Sequence, residues 1–121
     1  MAVTYQFDCV FYYVSEMERA VRFYRDVLGF KSISQDVVAR FDVAGVLFEL
    51  VPAPDRSKLQ GTGNARLCLR VKNIEQALQQ LRAQGVRVSQ AQPKANGILA
   101  FFDDPDGNEV CLWQYLQEET G

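Results

Sequence analysis

Residues 9–29 read CVFYYVSEMERAVRFYRDVLG, and residues 66–85 read RLCLRVKNIEQALQQLRAQG. Each stretch has an apolar segment of strand length, then a capping residue, then an apolar stripe at helical spacing that ends at a glycine. Aligning Val14 with Val71 also matches a glutamate and an alanine identically. Because similarity at a fixed offset indicates duplication, the sequence predicts two copies of one module that begins with a strand and a helix.

The ends of both helices are predicted by capping residues and glycines. Ser15 opens a Ser-x-x-Glu capping box, so the first helix is expected over about 16–28. Asn73 occupies the capping position of the second helix. Gly29 and Gly85 follow the last apolar positions, where a glycine suits the left-handed conformation that ends a helix.

Further strands follow each helix, and the pattern predicts a β-α-β-β-β order in both modules. The sequence DPDGN at 104–108 is typical of a hairpin turn. Pro, Gly and Ser concentrate in 53–63, which is therefore the expected linker between module 1 (about 5–52) and module 2 (about 64–116) within a single domain over 1–121. The expected strands cover 9–14, 30–34, 37–43, 46–51, 66–71, 86–89, 98–102 and 109–115.

Composition excludes several classes of function. The 121 residues have a net charge of -2, so no basic excess indicates nucleic acid, and no apolar run of about 18 residues indicates a membrane partner. The absence of histidine excludes His-dependent nucleophile pairs, His general bases and His-based zinc motifs. Three cysteines without a CxxC spacing, and no signal-peptide pattern in 1–10, favour a reducing, cytoplasmic location.

Two stretches resemble a known family. FYYVSEMERAVRFYRDVLGF at 11–30 is similar to the opening of vicinal oxygen chelate proteins, and FFDDPDGNEVCLWQ at 101–114 is similar to their closing hairpin. This superfamily includes glyoxalase I, bleomycin-resistance proteins, fosfomycin-resistance enzymes and extradiol dioxygenases. The resemblance spans about Phe7 to Tyr115. It implies an α+β fold of two βαβββ modules, whose sheets form a half-open funnel, and a homodimer.

The resemblance also implies where a metal would bind. Enzymes of the family use His or Gln and Glu ligands, and the matching positions here are Cys9, Glu49, Arg66 and Cys111. Only Glu49 keeps the family residue. An arginine cannot be a ligand because it does not deprotonate in proteins, and a hard metal prefers carboxylate and imidazole donors. We therefore expect that the metal site is lost and that the protein has no cofactor.

The leading hypothesis is metal-free binding of a small organic molecule, in the manner of the bleomycin-resistance members. Arginines suit anionic or carbonyl oxygen groups, and aromatic side chains provide stacking area. A packing role for Trp113 stays open. The candidate ligand-binding residues share one predicted face with the family's metal positions and are Cys9, Phe11, Tyr13, Glu49, Arg66, Cys68, Arg70, Cys111 and Trp113.

Alternative functions follow from the same residues. The chain could be a metal-dependent lyase or dioxygenase with a substituted site, for which Glu49 is the catalytic candidate, or a vestigial dimer without a ligand. The cysteines could bind a soft metal, or one of them could be a reactive thiol. Because a carboxylate in an apolar strand needs a cationic or hydrogen-bonding partner, we expect Glu49 to pair with Arg66.

Overall fold

The chain divides into two compact units, Met1–Lys58 and Leu59–Gly121. The computed structural model describes residues 3–59 and 65–116. Each unit contains one four-stranded sheet and has the β-α-β-β-β order that the sequence predicts, so the fold class is α+β as expected. Within the described residues, no helix is both long and apolar enough to cross a membrane.

The elements of the first unit are β1 (Val10–Val14), α1 (Met17–Arg22), β2 (Lys31–Gln35), β3 (Ala39–Val43) and β4 (Val46–Pro52). Its sheet has the strand order β1-β4-β3-β2. Strand β1 runs parallel to β4, whereas β4, β3 and β2 are antiparallel neighbours. This arrangement places the first and last strands of the unit side by side.

An aromatic cluster forms the core of the first unit. The Phe48 ring lies 4.9 Å from the ring of Tyr24, between centroids, and 6.3 Å from that of Phe41. Tyr12 and Phe30 complete the cluster, each with its ring centroid 5.7 Å from that of Phe48. Such edge-to-face and tilted contacts are the arrangements that aromatic pairs prefer. Strand β4 is therefore held, through Phe48, against Tyr24 in the helical segment that follows α1.

The first helix differs from its prediction at both ends. Glu16, and not Ser15, is the residue that precedes α1, and the Ser15 hydroxyl accepts a hydrogen bond from Arg19. After α1 the chain continues as a π-helical segment, Phe23–Val27. A π-helix has a wider turn than an α-helix, but the spacing of apolar residues in a sequence does not distinguish the two. Gly29 then adopts a φ of 76°, as expected for the residue that ends a helix.

The elements of the second unit are β5 (Leu67–Arg70), α2 (Ile74–Ala83), β6 (Gln92–Pro93), β7 (Gly97–Asp103) and β8 (Glu109–Tyr115). Its sheet repeats the topology of the first, with the strand order β5-β8-β7-β6 and with β5 parallel to β8. The Asn73 side chain accepts a hydrogen bond from the Gln76 backbone N–H (3.0 Å), which confirms the predicted helix cap.

The prediction of a strand over residues 86–89 is wrong. There Val88 forms only an isolated bridge with Phe102, and the strand beside β7 is the short β6. Ser89 explains why no continuous strand forms there. The Ser89 backbone N–H donates to the Phe101 carbonyl, and the Ser89 hydroxyl accepts from the Phe101 N–H, both at 2.8 Å. A side chain thus takes the place of a backbone partner, and the ladder ends.

The DPDGN turn joins β7 to β8, as predicted. Gly107 has a φ of 82°, the left-handed conformation that this turn requires. The Asp104 carboxylate is 4% exposed and accepts from the backbone N–H groups of Asp106 (2.9 Å) and Asn108 (2.8 Å). It also accepts from the Asn108 side-chain amide at 2.9 Å. The turn is therefore organised around one buried carboxylate.

Strand register supports the predicted equivalence of the two modules. Phe11 stands opposite Glu49 in the β1–β4 pair, and Cys68 stands opposite Cys111 in the β5–β8 pair. The glutamate and the buried cysteine therefore occupy corresponding positions on the last strands of their units.

Candidate functional site

Each sheet has one face that does not pack on its own helix, and we call these the first and second open faces. In β1, Tyr12 and Val14 are buried, whereas Phe11 and Tyr13 alternate with them and are more exposed. The prediction that Phe11 and Tyr13 lie on the same face of the sheet therefore agrees with the burial pattern. Their rings contact each other edge to face, with centroids 5.3 Å apart.

A polar network crosses the first open face in a single row. Phe11, Glu49 and Arg40 are in register on neighbouring strands β1, β4 and β3. The Arg40 Nε donates to Glu49 Oε2 at 3.2 Å, and the Cys9 thiol donates to Oε1 at 3.6 Å. Arg40 also contacts Ser34 on β2. Both carboxylate oxygens of Glu49 therefore have a donor within the first unit.

Cys9 is a protonated donor in this network. Burial raises the pKa of its thiol, and the negative charge of Glu49 raises that pKa further. Because only the thiolate is a strong nucleophile and metal ligand, Cys9 is poorly suited to either role at neutral pH. Its hydrogen bond instead fixes the orientation of Glu49.

The second open face carries what we call the aromatic–cationic cluster, formed by Arg70, Trp113 and Tyr115. The Arg70 guanidinium carbon lies 5.1 Å from the centre of the Tyr115 ring. The Trp113 and Tyr115 rings meet edge to face, with centroids 5.6 Å apart. Gly97 makes room for this arrangement, since a Cβ at that position would overlap the indole of Trp113. The cluster offers a fixed cation beside aromatic surface.

Arg66 has a carboxylate partner inside the second unit. Its Nε donates to Glu109 at 2.6 Å, and the two side chains are each about one-third exposed, at 36% and 37%. The pairing of Glu49 with Arg66 stays a prediction, and within its own unit Glu49 accepts a hydrogen bond from Arg40. Each of these two charges is therefore neutralised within its own unit.

Cys68 and Cys111 face each other across β5 and β8 and differ in exposure. Cys68 is exposed and Cys111 is buried. Partial removal from water raises the pKa of both thiols. A negative charge on Cys68, when that thiol ionises, and the charge of Glu109 raise the pKa of Cys111 further, whereas the nearby guanidinium of Arg66 opposes the rise. Both thiols are therefore protonated at neutral pH.

The side chains at the family's metal positions do not fit a divalent ion. Glu49 is bound by Arg40, one of the other positions is the guanidinium of Arg66, and the Cys9 and Cys111 thiols hold their protons. Among residues 3–59 and 65–116, no three His, Cys, Asp or Glu side chains form a group able to hold a metal.

Three residues that shape these faces were not among the predicted site residues: Arg40, Glu109 and Gly97. Arg40 alternates with the buried residues Ala39 and Phe41, so its place on the open face was visible in the sequence. Its pairing with Glu49 was not, because that pairing depends on the β3–β4 register. A residue that accommodates a neighbouring indole by lacking a side chain leaves no signal in a sequence pattern.

We expect Arg40→Met to lower the free energy of unfolding by about 1–2 kcal/mol, because it leaves the largely buried Glu49 carboxylate without its charged donor. The Glu49 side chain is only 18% exposed, whereas the Arg25–Asp26 pair is about half exposed. Arg25→Met, the matched control, should therefore leave the free energy of unfolding nearly unchanged, because solvent screens this exposed pair. Urea unfolding measures both variants, and equal effects would contradict a special role for Arg40.

Comparison with known proteins identifies the family. The model of the Glyoxalase/Bleomycin resistance protein/Dioxygenase superfamily matches residues 6–112. No curated protein matches the chain.

Solved structures share the fold over almost the whole chain. The antibiotic-binding protein TnmS3 from Streptomyces sp. CB03234 is 26% identical, with a TM-score of 0.78, covering 95% of this chain and 98% of its own. A glyoxalase/bleomycin resistance protein from the same organism is 27% identical, with a TM-score of 0.71, covering 88% and 99%. The fosfomycin resistance protein FosX from Listeria monocytogenes shares the fold at 14% identity, with a TM-score of 0.78 and coverage of 93% and 94%. The chain belongs to the Glyoxalase/Bleomycin resistance protein/Dioxygenase superfamily.

Proposed function

We propose that this protein binds a small organic molecule without a metal, and that the molecule has a planar apolar body and an anionic or carbonyl oxygen group. The aromatic–cationic cluster of Arg70, Trp113 and Tyr115 is the observation that carries this proposal. A guanidinium offers planar, permanently charged donors to a carboxylate or carbonyl oxygen. The adjacent rings offer stacking surface to the apolar body.

The first open face supports the same function. Phe11 is 45% exposed and in contact with Tyr13, so it offers aromatic surface. Glu49 next to it is neutralised by Arg40 and therefore would not repel an anion. Both carboxylate oxygens of Glu49 already accept hydrogen bonds, from Arg40 and from Cys9, which favours binding over the catalytic role considered for Glu49.

A similar protein supports a binding role independently. TnmS3, 26% identical over almost the full chain, is described as an antibiotic-binding protein. From this similarity we infer only that the open faces of this chain bind a ligand. We do not infer that the ligand is the same. The proposed contacts are Phe11, Tyr13 and Glu49, with Cys9, on the first face, and Arg66, Cys68, Arg70, Cys111 and Trp113 on the second.

Titration with 2-naphthoate and with its uncharged analogue 2-naphthamide tests the proposal. We expect the carboxylate to bind about tenfold more tightly, because one charge-assisted hydrogen bond contributes roughly 1.5 kcal/mol. Arg70→Met should remove most of this difference, and Trp113→Ala should weaken both ligands. Arg82→Met, which removes an exposed arginine on α2, is the control and should keep the difference. Calorimetry is suitable for every variant, including the one without tryptophan.

Two results would contradict the proposal. If neither naphthalene compound binds, or if Arg70→Met and Arg82→Met behave alike, the aromatic–cationic cluster is not the binding site. About one equivalent of iron, manganese, nickel or zinc in the purified protein, lost in Glu49→Ala, would instead support the metal-dependent lyase or dioxygenase.

A further inference from the structure

We propose that Cys68 and Cys111 form a reversible disulfide, and that this pair makes the second unit sensitive to the redox state of its surroundings. The two residues are direct partners in the parallel pairing of β5 with β8. The inference is independent of the ligand-binding proposal, because its evidence is the pairing of the two strands and its test needs no ligand.

The distance between the two strands permits the bond. Neighbouring strands lie about 4.7–4.9 Å apart in the hydrogen-bonding direction. Disulfides join residues whose Cα atoms are about 4.4–6.8 Å apart. Residues directly opposite each other also project from the same face of a sheet, so both thiols are on the second open face. No change of register is needed to bring them together.

The position of β5 favours a bond that forms and breaks readily. Side chains that stand side by side on adjacent strands must turn toward each other before their sulfur atoms can join, which strains the bridge. Strand β5 has four residues and lies at one end of the strand order β5-β8-β7-β6, so it can adjust. Strained and exposed disulfides are more easily reduced and serve as labile or regulatory bonds.

The reaction is a thiol–disulfide exchange with a low-molecular-weight disulfide such as oxidised glutathione. The thiolate of the exposed Cys68 attacks one sulfur of the small disulfide and releases a first small thiol, which leaves a mixed disulfide on Cys68. The Cys111 thiolate then attacks the Cys68 sulfur and releases the second small thiol. The protein loses two electrons and two protons, and one small disulfide becomes two thiols.

The environment of the two thiols determines the pH dependence of this reaction. Partial removal from water raises the pKa of Cys68 and of Cys111, so few thiolates are present at neutral pH and oxidation should be slow there. The rate should increase as the pH rises and should continue to increase above the ordinary thiol pKa of about 8.5. The guanidinium of Arg66 opposes the shift at Cys111, so Arg66→Met should slow closure of the bond.

Tryptic peptide mapping under non-reducing conditions tests the proposal directly. The protein is incubated with oxidised glutathione, its remaining thiols are alkylated at low pH, and it is then digested. Cys68 lies in the peptide LCLR at 67–70, whereas Cys111 lies in the peptide that begins at Ala95. We expect these two peptides to be linked in most of the oxidised protein and to separate on reduction with dithiothreitol.

Single-cysteine variants make the result specific. Cys9→Ser, which leaves the second unit unchanged, should keep the linked peptides. Cys68→Ser and Cys111→Ser should abolish them, and Cys111→Ser should instead accumulate a stable mixed disulfide on Cys68. In unmodified protein, the fluorescence of Trp113, the single tryptophan, should fall on oxidation and recover on reduction, because it follows Cys111 by two positions on the same face.

Three outcomes would overturn the inference. These are a linkage that involves Cys9, a persistent mixed disulfide on Cys68 in the unmodified protein, and failure to oxidise even at high pH with excess oxidised glutathione. Because none of these measurements depends on a ligand, their failure is distinguishable from failure of the binding proposal.

Discussion

Phe48→Ala should lower the free energy of unfolding of the first unit by about 3–5 kcal/mol, the cost of truncating a large buried aromatic side chain. Phe48 is 1% exposed and contacts the rings of Tyr12, Tyr24, Phe30 and Phe41. Since the total stability of a domain is typically about 5–15 kcal/mol, the variant should unfold at a much lower urea concentration. Circular dichroism during urea titration measures the change.

Leu47→Ala is the matched control for Phe48→Ala. Leu47 precedes Phe48 on β4, is less buried, and lies on the opposite face of the sheet. Its truncation should cost less than about 1 kcal/mol, because fewer apolar contacts are lost. A similar loss in both variants would mean that the aromatic cluster is not the main source of stability in this unit.

Asp104→Ala should lower the free energy of unfolding by about 3 kcal/mol. Its carboxylate accepts three hydrogen bonds, from the Asp106 N–H and from both the backbone and the side chain of Asn108. The Asn108 groups are buried with it, and a buried donor left without its acceptor costs about 1–3 kcal/mol. Thermal and urea unfolding followed by circular dichroism both report this loss.

Asp103→Ala tests whether the loss of stability in Asp104→Ala comes from the hydrogen bonds of the turn or from the removal of a negative charge. Asp103 is the neighbouring acidic residue but is exposed at the end of β7. Removing it should change stability by less than about 0.5 kcal/mol. If the two variants are equally stable, the Asp104 hydrogen bonds contribute no more than an exposed charge does.

Local patterns predicted most of the fold because local physics determines those parts. Asn73 caps α2 through its own side chain, and Gly107 supplies the conformation that its turn requires. The errors arise where a local pattern competes with a nonlocal contact. The segment 86–89 has the alternation of a strand, but Ser89 bonds Phe101 through its side chain and ends the ladder. No property of residues 86–89 alone reveals that contact.

The sequence predicted which face of each sheet the candidate site residues occupy, but it did not predict the hydrogen-bonding partner of Glu49. The strand period of two shows which residues share a face. For Phe11, whose strand is apolar on both sides, the sequence repeat was also needed to choose the face. The choice of Arg40 as a cation for Glu49 depends on which residue of β3 lies opposite it, which the β3–β4 turn decides. Strand register thus determines which charged residues pair across a sheet, and the sequence of a single strand only partly determines that register.

The side-by-side position of β1 and β4 has a consequence for folding during synthesis. The β2–β3 and β3–β4 pairs are sequence neighbours, so their hairpins can form as soon as both strands leave the ribosome. Parallel pairing of β1 cannot be completed until Pro52 has emerged, because Pro52 is the partner of Val14. Until then the apolar strand β1 lacks its complete pairing with β4. We therefore expect a nascent chain stalled within β4 to be protease-sensitive around β1, and one extended past the first unit to be resistant there.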